Sequence, residues 1–149
     1  MNKILISHRG NLNGKIVERE NSPDYIDEAI NLGYDVEVDI WVVDGYIFLG
    51  HDRPDYKIDT GWLTDRSDKL WIHFKNTNAL EYFYGTQFNY FWHDTDVVTL
   101  TSHNYIWTHP GNQPIKNSIA VLPEIYDDDV SKCLGICSDQ IQSYGEKII

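Results

Sequence analysis

The chain has 149 residues, 42% of them hydrophobic, which is enough to bury one core but not to build two ordinary domains. Its 23 acidic residues outweigh 12 basic ones for a formal net charge of -11. Such a surface repels duplex phosphate and anionic lipid, so neither nucleic acid nor a membrane is an expected partner.

No apolar run approaches the ~20 residues of a membrane-spanning helix. The opening segment, with one Lys and few apolar residues, reads as a strand rather than a secretory signal, so the expected location is the cytoplasm. Cys133 and Cys137 have neither the ligand count of a structural zinc site nor a redox spacing. In an extended segment they stand about 13 Å apart, too far to bridge, and both are expected as free thiols.

No repeat, low-complexity tract or linker divides residues 1–149, which are read as a single domain. Ile4 to Ser7 forms the first expected strand, ending at His8-Arg9-Gly10. Ser22-Pro23 signals a helix start, Ser as N-cap and Pro in the first turn, with Ile26, Ala29 and Ile30 at helical spacing and Gly33 as the stop. Asp35 to Trp41 alternates strictly and is a strand; Asp44-Gly45 is a turn, and Tyr46 to Leu49 a short returning strand. Residues 55–68 read as loop with one helical turn, Leu70 to Phe74 as a strand, and Asn76 to Gly85 as a short helix. Short strands are then expected at 89–93, 97–101, 105–107, 118–122 and 135–138. The early strand–helix alternation implies a parallel βα sheet. Eight full βα units need about 250 residues, so the expected fold is an abbreviated TIM-type (β/α) barrel with several helices missing.

The second strand carries the chemistry. Side chains alternate across a strand, so Glu37 and Asp39 share one face while Val36, Val38 and Ile40 share the other. Two carboxylates pointing into a barrel need a neutralising partner, and a divalent cation with oxygen ligands supplies one; an open sheet with a solvated acidic face is the alternative. His8-Arg9 and His51-Asp52 each follow an expected strand, where active sites of parallel sheets collect. A pair of histidines there can share general acid and base work near neutral pH.

Taken together, His8-Arg9-Gly10, Glu20-Asn21-Ser22, Gly33 to Asp39 and His51-Asp52 resemble the opening third of the glycerophosphodiester phosphodiesterase family, within the PLC-like phosphodiesterase superfamily. Trp71 to Lys75 resembles that family's next strand, and Gly135 to Asp139 its closing one. The resemblance implies that His8 and His51 are the catalytic pair, that Glu37 and Asp39 bind Mg²⁺ or Ca²⁺, and that Arg9 and Lys75 contact the phosphate. Glu20 and Asn21 would shape the floor of the site. The substrate implied is a small glycerophosphodiester-like molecule, hydrolysed or cyclised without a protein nucleophile.

Two departures qualify the match. His73 stands where the family has a third metal-binding acid, and imidazole favours Mn²⁺ or Zn²⁺ over Ca²⁺. The long insertion after His51, which covers substrate in the family, is nearly absent. Glu124 is a candidate replacement for the missing carboxylate, and Trp107 with His109 a candidate pocket wall. The alternative function is a silent barrel that binds a phosphorylated metabolite or serves as a partner subunit. Because the late strands lack helices to cover them, a symmetric homodimer is expected.

Overall fold

A computed structural model describes residues 2–148, Ile148 by its backbone alone. The strictly alternating segment forms β2 (Asp35–Val43), long enough to serve three neighbours. Its first residues pair in parallel with β1 (Ile4–His8), His8 standing opposite Glu37. Its last four residues, Ile40 to Val43, turn through Asp44-Gly45 and pair antiparallel with β3 (Tyr46–Leu49), which pairs with β4 (Tyr56–Ile58). Val36 to Ile40 also run parallel with β5 (Leu70–Phe74), placing Asp39 beside His73. The later strands are β6 (Tyr90–Phe91), β7 (Val98–Leu100), β8 (Ile106–Thr108), β9 (Ser118–Val121) and β10 (Gly135–Ser138). In space β6, β5, β2, β1, β10, β9 and β8 follow one another in parallel, and β7 adds antiparallel to β8.

The expected (β/α) barrel is therefore corrected: the ten strands form one mixed sheet curled into a half-barrel, without alternating helices. Helices follow strands in a few places only, as α1 (Pro23–Asn31), α3 (Thr77–Phe83) and α4 (Ile141–Ile148), with α2 (Thr60–Asp65) after β4. The connections β8–β9 and β9–β10 are loops, the second holding a single turn at Pro123–Ile125. Two physical causes defeat the barrel. The Asp44-Gly45 turn, with φ of 53° and 80°, has the left-handed geometry of a tight hairpin and sends β3 back along β2. The late strands are too closely spaced in sequence to hold intervening helices. β4 and α4 arise where the sequence suggested loop or no element, and α2 falls where one helical turn was expected.

The period-2 pattern separates the two faces of the sheet, and a third small cluster joins Ala120, Cys133 and Ile136 to Ile141 of α4. On the convex face Val36, Val38, Ile40, Leu70, Ile72 and Phe74 pack under Ile26 and Ala29 of α1 and Ala79 and Phe83 of α3. Both helices start on side-chain caps: Ser22 Oγ accepts from the Tyr25 amide at 3.3 Å and Asn76 Oδ1 from that of Ala79 at 3.1 Å. The Asn76 amide group also bonds the Val42 backbone, tying α3 to β2. On the concave face Ile6, Trp71, Phe91, Trp107, Ile119, Val121 and Cys137 pack together. Trp107 lies 4.6 Å from Phe91 and 5.8 Å from Trp71 between ring centroids, so aromatic bulk fills the curl. Cys133 and Cys137 are both free and buried. Among the described residues no helix is long and apolar enough to cross a membrane.

Candidate active site

Above the aromatic layer, at the C-terminal end of the parallel strands, a cavity of 380 Å³ opens. All the chain's six histidines except His103 line it: His8, His51, His73, His93 and His109. Arg9, Glu37, Lys75 and Trp107 line it as well, and Asp39 lies fully buried beneath.

His8 ends β1, and its Nδ1 lies 2.7 Å from Asp139 Oδ1. Asp139, just beyond β10, is held below the usual carboxylate range: burial works against this, but the hydrogen bond and charge of His8, with Asn11 and Arg9, together outweigh it. An ionised carboxylate only accepts, so Nδ1 carries the proton and the neutral ring turns Nε2 toward Glu37 Oε1, 3.9 Å away. Burial pulls the His8 pKa down, but Asp139 and the charge of Glu37 raise it overall. Asn11 braces this pair, donating to Asp139 at 2.9 Å and Glu20 at 2.8 Å while accepting from Tyr25.

His51 repeats the arrangement nearer solvent, with Nδ1 2.8 Å from Asp52 Oδ1 and no partner for Nε2 among the described residues. Its position depends on Gly50, at φ 154°, where a Cβ would collide with the Arg53 carbonyl oxygen. The Gly50 amide donates to Asp39 O and its carbonyl accepts from Trp41 Nε1. These bonds anchor the strand end that presents His51.

Glu37, Asp39 and His73 form the floor, each offering a ligand atom within 4.8 Å of the others. The His73 Nε2–H donates to the His93 carbonyl at 2.8 Å, leaving Nδ1 3.3 Å from Asp39 Oδ1 and 3.6 Å from Glu37 Oε2. A bare lone pair facing two carboxylates is repulsive, so Nδ1 must hold a proton or a cation. Without a cation, burial opposes charging, but hydrogen bonds to Asp39 and Glu37 prevail and the His73 pKa rises to about 9. Asp39 is correspondingly depressed: burial opposes this, and the His73 hydrogen bond with the Arg9 charge overcomes it.

The donor set fits a metal ion. Asp39 Oδ1 and Glu37 Oε1 are buried and, beyond the long contacts at 3.3 Å to His73 Nδ1 and 3.9 Å to His8 Nε2, have no polar partner among the described residues. Ligand bonds of about 2.0–2.2 Å put neighbouring donor atoms about 3 Å apart, close to the spacing around His73 Nδ1. A ligating imidazole also commonly donates its other N–H to a backbone carbonyl, as His73 does. One nitrogen and two carboxylates suit Mn²⁺ or Zn²⁺ better than Ca²⁺.

The remaining candidates separate. Arg9, at a left-handed φ of 61°, reaches Asp39 Oδ2 through Nε at 3.2 Å and donates from Nη1 to Glu20 at 3.2 Å. Asn21, also left-handed, grips Asp39 twice at 2.9 Å and so holds the floor rather than facing the cavity. Glu124 turns away, accepting from Ser138 Oγ and Tyr144 OH, and does not supply the missing carboxylate. Sequence reasoning assigned no role to Asp139, Asn11 or His93. Asp139 ends the segment likened to the family's closing strand, the one signal that pointed to it.

In metal-free protein the proton on His73 makes stability pH-dependent. A raised folded pKa stabilises fully below the unfolded value near 6.5 and the benefit disappears as pH climbs through about 9. Thermal unfolding in chelator should show a Tm that falls across this window, with a smaller fall in His73→Gln. Equal pH profiles would show that His73 is uncharged.

Comparison with protein-family models, curated proteins and solved structures finds no match for this chain.

Proposed function

We propose that the chain is a metal-dependent phosphodiesterase that hydrolyses or cyclises a small glycerophosphodiester-like substrate. One observation carries the reading: His8, His51, Arg9 and Lys75 line a single cavity over the convergent Glu37, Asp39 and His73. The resemblance of His8-Arg9, Glu20-Asn21, Glu37-Val38-Asp39 and His51-Asp52 to glycerophosphodiester phosphodiesterases supports the same chemistry.

Arg9 and Lys75 attract the phosphate, Arg9 through its planar fork and Lys75 as a point charge. His8 Nε2, kept basic by the Asp139 bond on Nδ1, takes the proton of the attacking group, a substrate hydroxyl in cyclisation or water in hydrolysis. His51, oriented through Nδ1 by Asp52, protonates the departing alcohol oxygen from Nε2. Glu37, Asp39 and His73 would hold a divalent cation, which would supply Lewis-acid polarisation of the phosphoryl oxygens. Hydrolysis of bis(4-nitrophenyl) phosphate tests the proposal. Turnover should vanish in chelator and return with Mn²⁺. Chelator-resistant turnover would remove the metal from the mechanism, and a metal-loaded protein that turns over no diester would leave the phosphorylated-metabolite binder.

The homodimer remains a proposal with a defined contact. Val98 and Leu100 on β7 are exposed, and among the described strands β7 pairs with β8 alone. Light scattering at micromolar concentration should give twice the 17.4 kDa chain mass; a persistent monomer mass ends this expectation.

A further inference from the structure

Arg9 and His51 stand between two cavities of different chemistry. The first, above the metal-binding residues, has a wall of Trp107, Pro110, Val121, Leu122, Ile125 and Tyr126. The second, of 620 Å³, shares Arg9 and His51 with it and is lined by Lys15, Glu18, Asp52, Arg53, Asp55 and Tyr56. The first sets one apolar, aromatic wall opposite its histidines, Arg9 and Lys75, whereas the second is lined mainly by charged side chains.

The apolar wall is held in place by several contacts. Leu122 adopts a left-handed φ of 46°, an uncommon state for a bulky side chain, as its amide donates to Cys137 O at 2.7 Å. This reverses the chain after β9 and brings Ile125 and Tyr126 to the cavity mouth. The Tyr126 ring lies over the turn at Gly111, where a Cβ would come within 3.2 Å of it. The Gly111 amide donates to Asp128 at 2.9 Å, closing the two loops against each other. Ile125 and Tyr126 nevertheless stay 55% and 67% exposed. Fixed apolar surface beside a cationic anion site is the arrangement that recognises an amphipathic anion.

We propose, resting on the phosphodiesterase reading, that the substrate is an asymmetric diester. Its phosphate sits at Arg9 and His51, a planar apolar ester group lies along the Trp107–Tyr126 wall, and a hydrophilic alcohol occupies the charged cavity.

Binding of benzyl phosphate and methyl phosphate to the Mn²⁺-loaded protein, by calorimetry, tests the wall without requiring turnover. The two probes carry the same charge. Benzyl phosphate should bind about tenfold more tightly, the gain expected from covering one aromatic ring. Tyr126→Ala should shrink that ratio several-fold at unchanged Tm. Equal affinities, or a ratio that survives Tyr126→Ala and Ile125→Ala, overturn the wall assignment.

Turnover of benzyl glyceryl and methyl glyceryl phosphate separates the two levels of the argument, since the two departing alcohols are similarly basic. The benzyl ester should have the higher kcat/KM, and Lys15→Ala should raise KM for both while preserving their ratio. A ratio changed by Lys15→Ala puts the aromatic group in the wrong cavity. Turnover without preference overturns the subsite alone; binding preference without turnover overturns the hydrolase reading and keeps the subsite.

Discussion

Replacing His8 with alanine lowers kcat/KM on an unactivated diester by about 10²- to 10⁴-fold, the range typical for loss of one general acid or base. The expectation rests on Nε2, which is left unprotonated by the Asp139 bond on Nδ1 and faces the cavity. Stability also falls, because His8 is buried and helps keep Asp139 ionised, but Asp139 keeps its bond from Asn11, so the variant should remain folded. Asp139→Asn separates positioning from chemistry. Asp139 raises the His8 pKa, so its loss should move the acidic limb of the kcat/KM profile to lower pH as well as reducing the rate. Wild-type turnover in His8→Ala would place the catalytic base elsewhere.

Asp39→Ala should produce the largest loss of stability together with loss of the metal. Asp39 is fully buried and joins Arg9, Asn21 and His73. Without it the buried Arg9 guanidinium loses its nearest anion, and breaking one side of a buried pair costs about 3–5 kcal/mol. For a chain of this size that corresponds to a Tm lower by roughly 10 °C. Asp39→Asn keeps the shape and can still bond Asn21, so it should unfold later than the alanine variant yet bind Mn²⁺ as poorly. Calorimetric titration with Mn²⁺ beside thermal unfolding distinguishes these outcomes; Asp39→Ala with wild-type metal affinity would displace Asp39 from the ligand set.

These expectations draw on parts of the molecule that were unequally visible in the sequence. Glu37 and Asp39 were legible because a strand's period of two is a local rule: the same alternation that sinks Val36, Val38 and Ile40 under α1 and α3 turns the acids the other way. Ser22 was legible as a cap because capping is also a local rule, whereas the second helix offered Asn76, Thr77 and Asn78 alike and the structure chose Asn76. Asp139 and Asn11 carried no such signal, since their work depends on contacts 131 and 128 residues apart in the chain. The Asp44-Gly45 turn was visible, but its consequence was not: a hairpin on the second strand conflicts with an all-parallel barrel. The filling of the curl by Trp71, Phe91 and Trp107 was equally hidden, because aromatic residues in short strands read alike whether they face a core, a pocket or solvent.

The pairing of β1 with β10 also governs when this molecule can come into being. Strands made first and last lie side by side in the middle of the sheet, with β2 on one flank and β9 on the other. During synthesis, the β1 edge must wait for a partner some 130 residues later, since Ile4 pairs with Gly135. Closing so long a loop is entropically slow, and contacts of such high sequence separation delay folding. A ribosome-bound chain that has emerged only through β9 therefore exposes two unpaired edges and lacks Asp139, the partner of His8 Nδ1. Chaperone demand should peak there, and a nascent chain arrested before Gly135 should be protease-sensitive at β1, β8 and β9, while β2 and β5 under α1 and α3 already have their core.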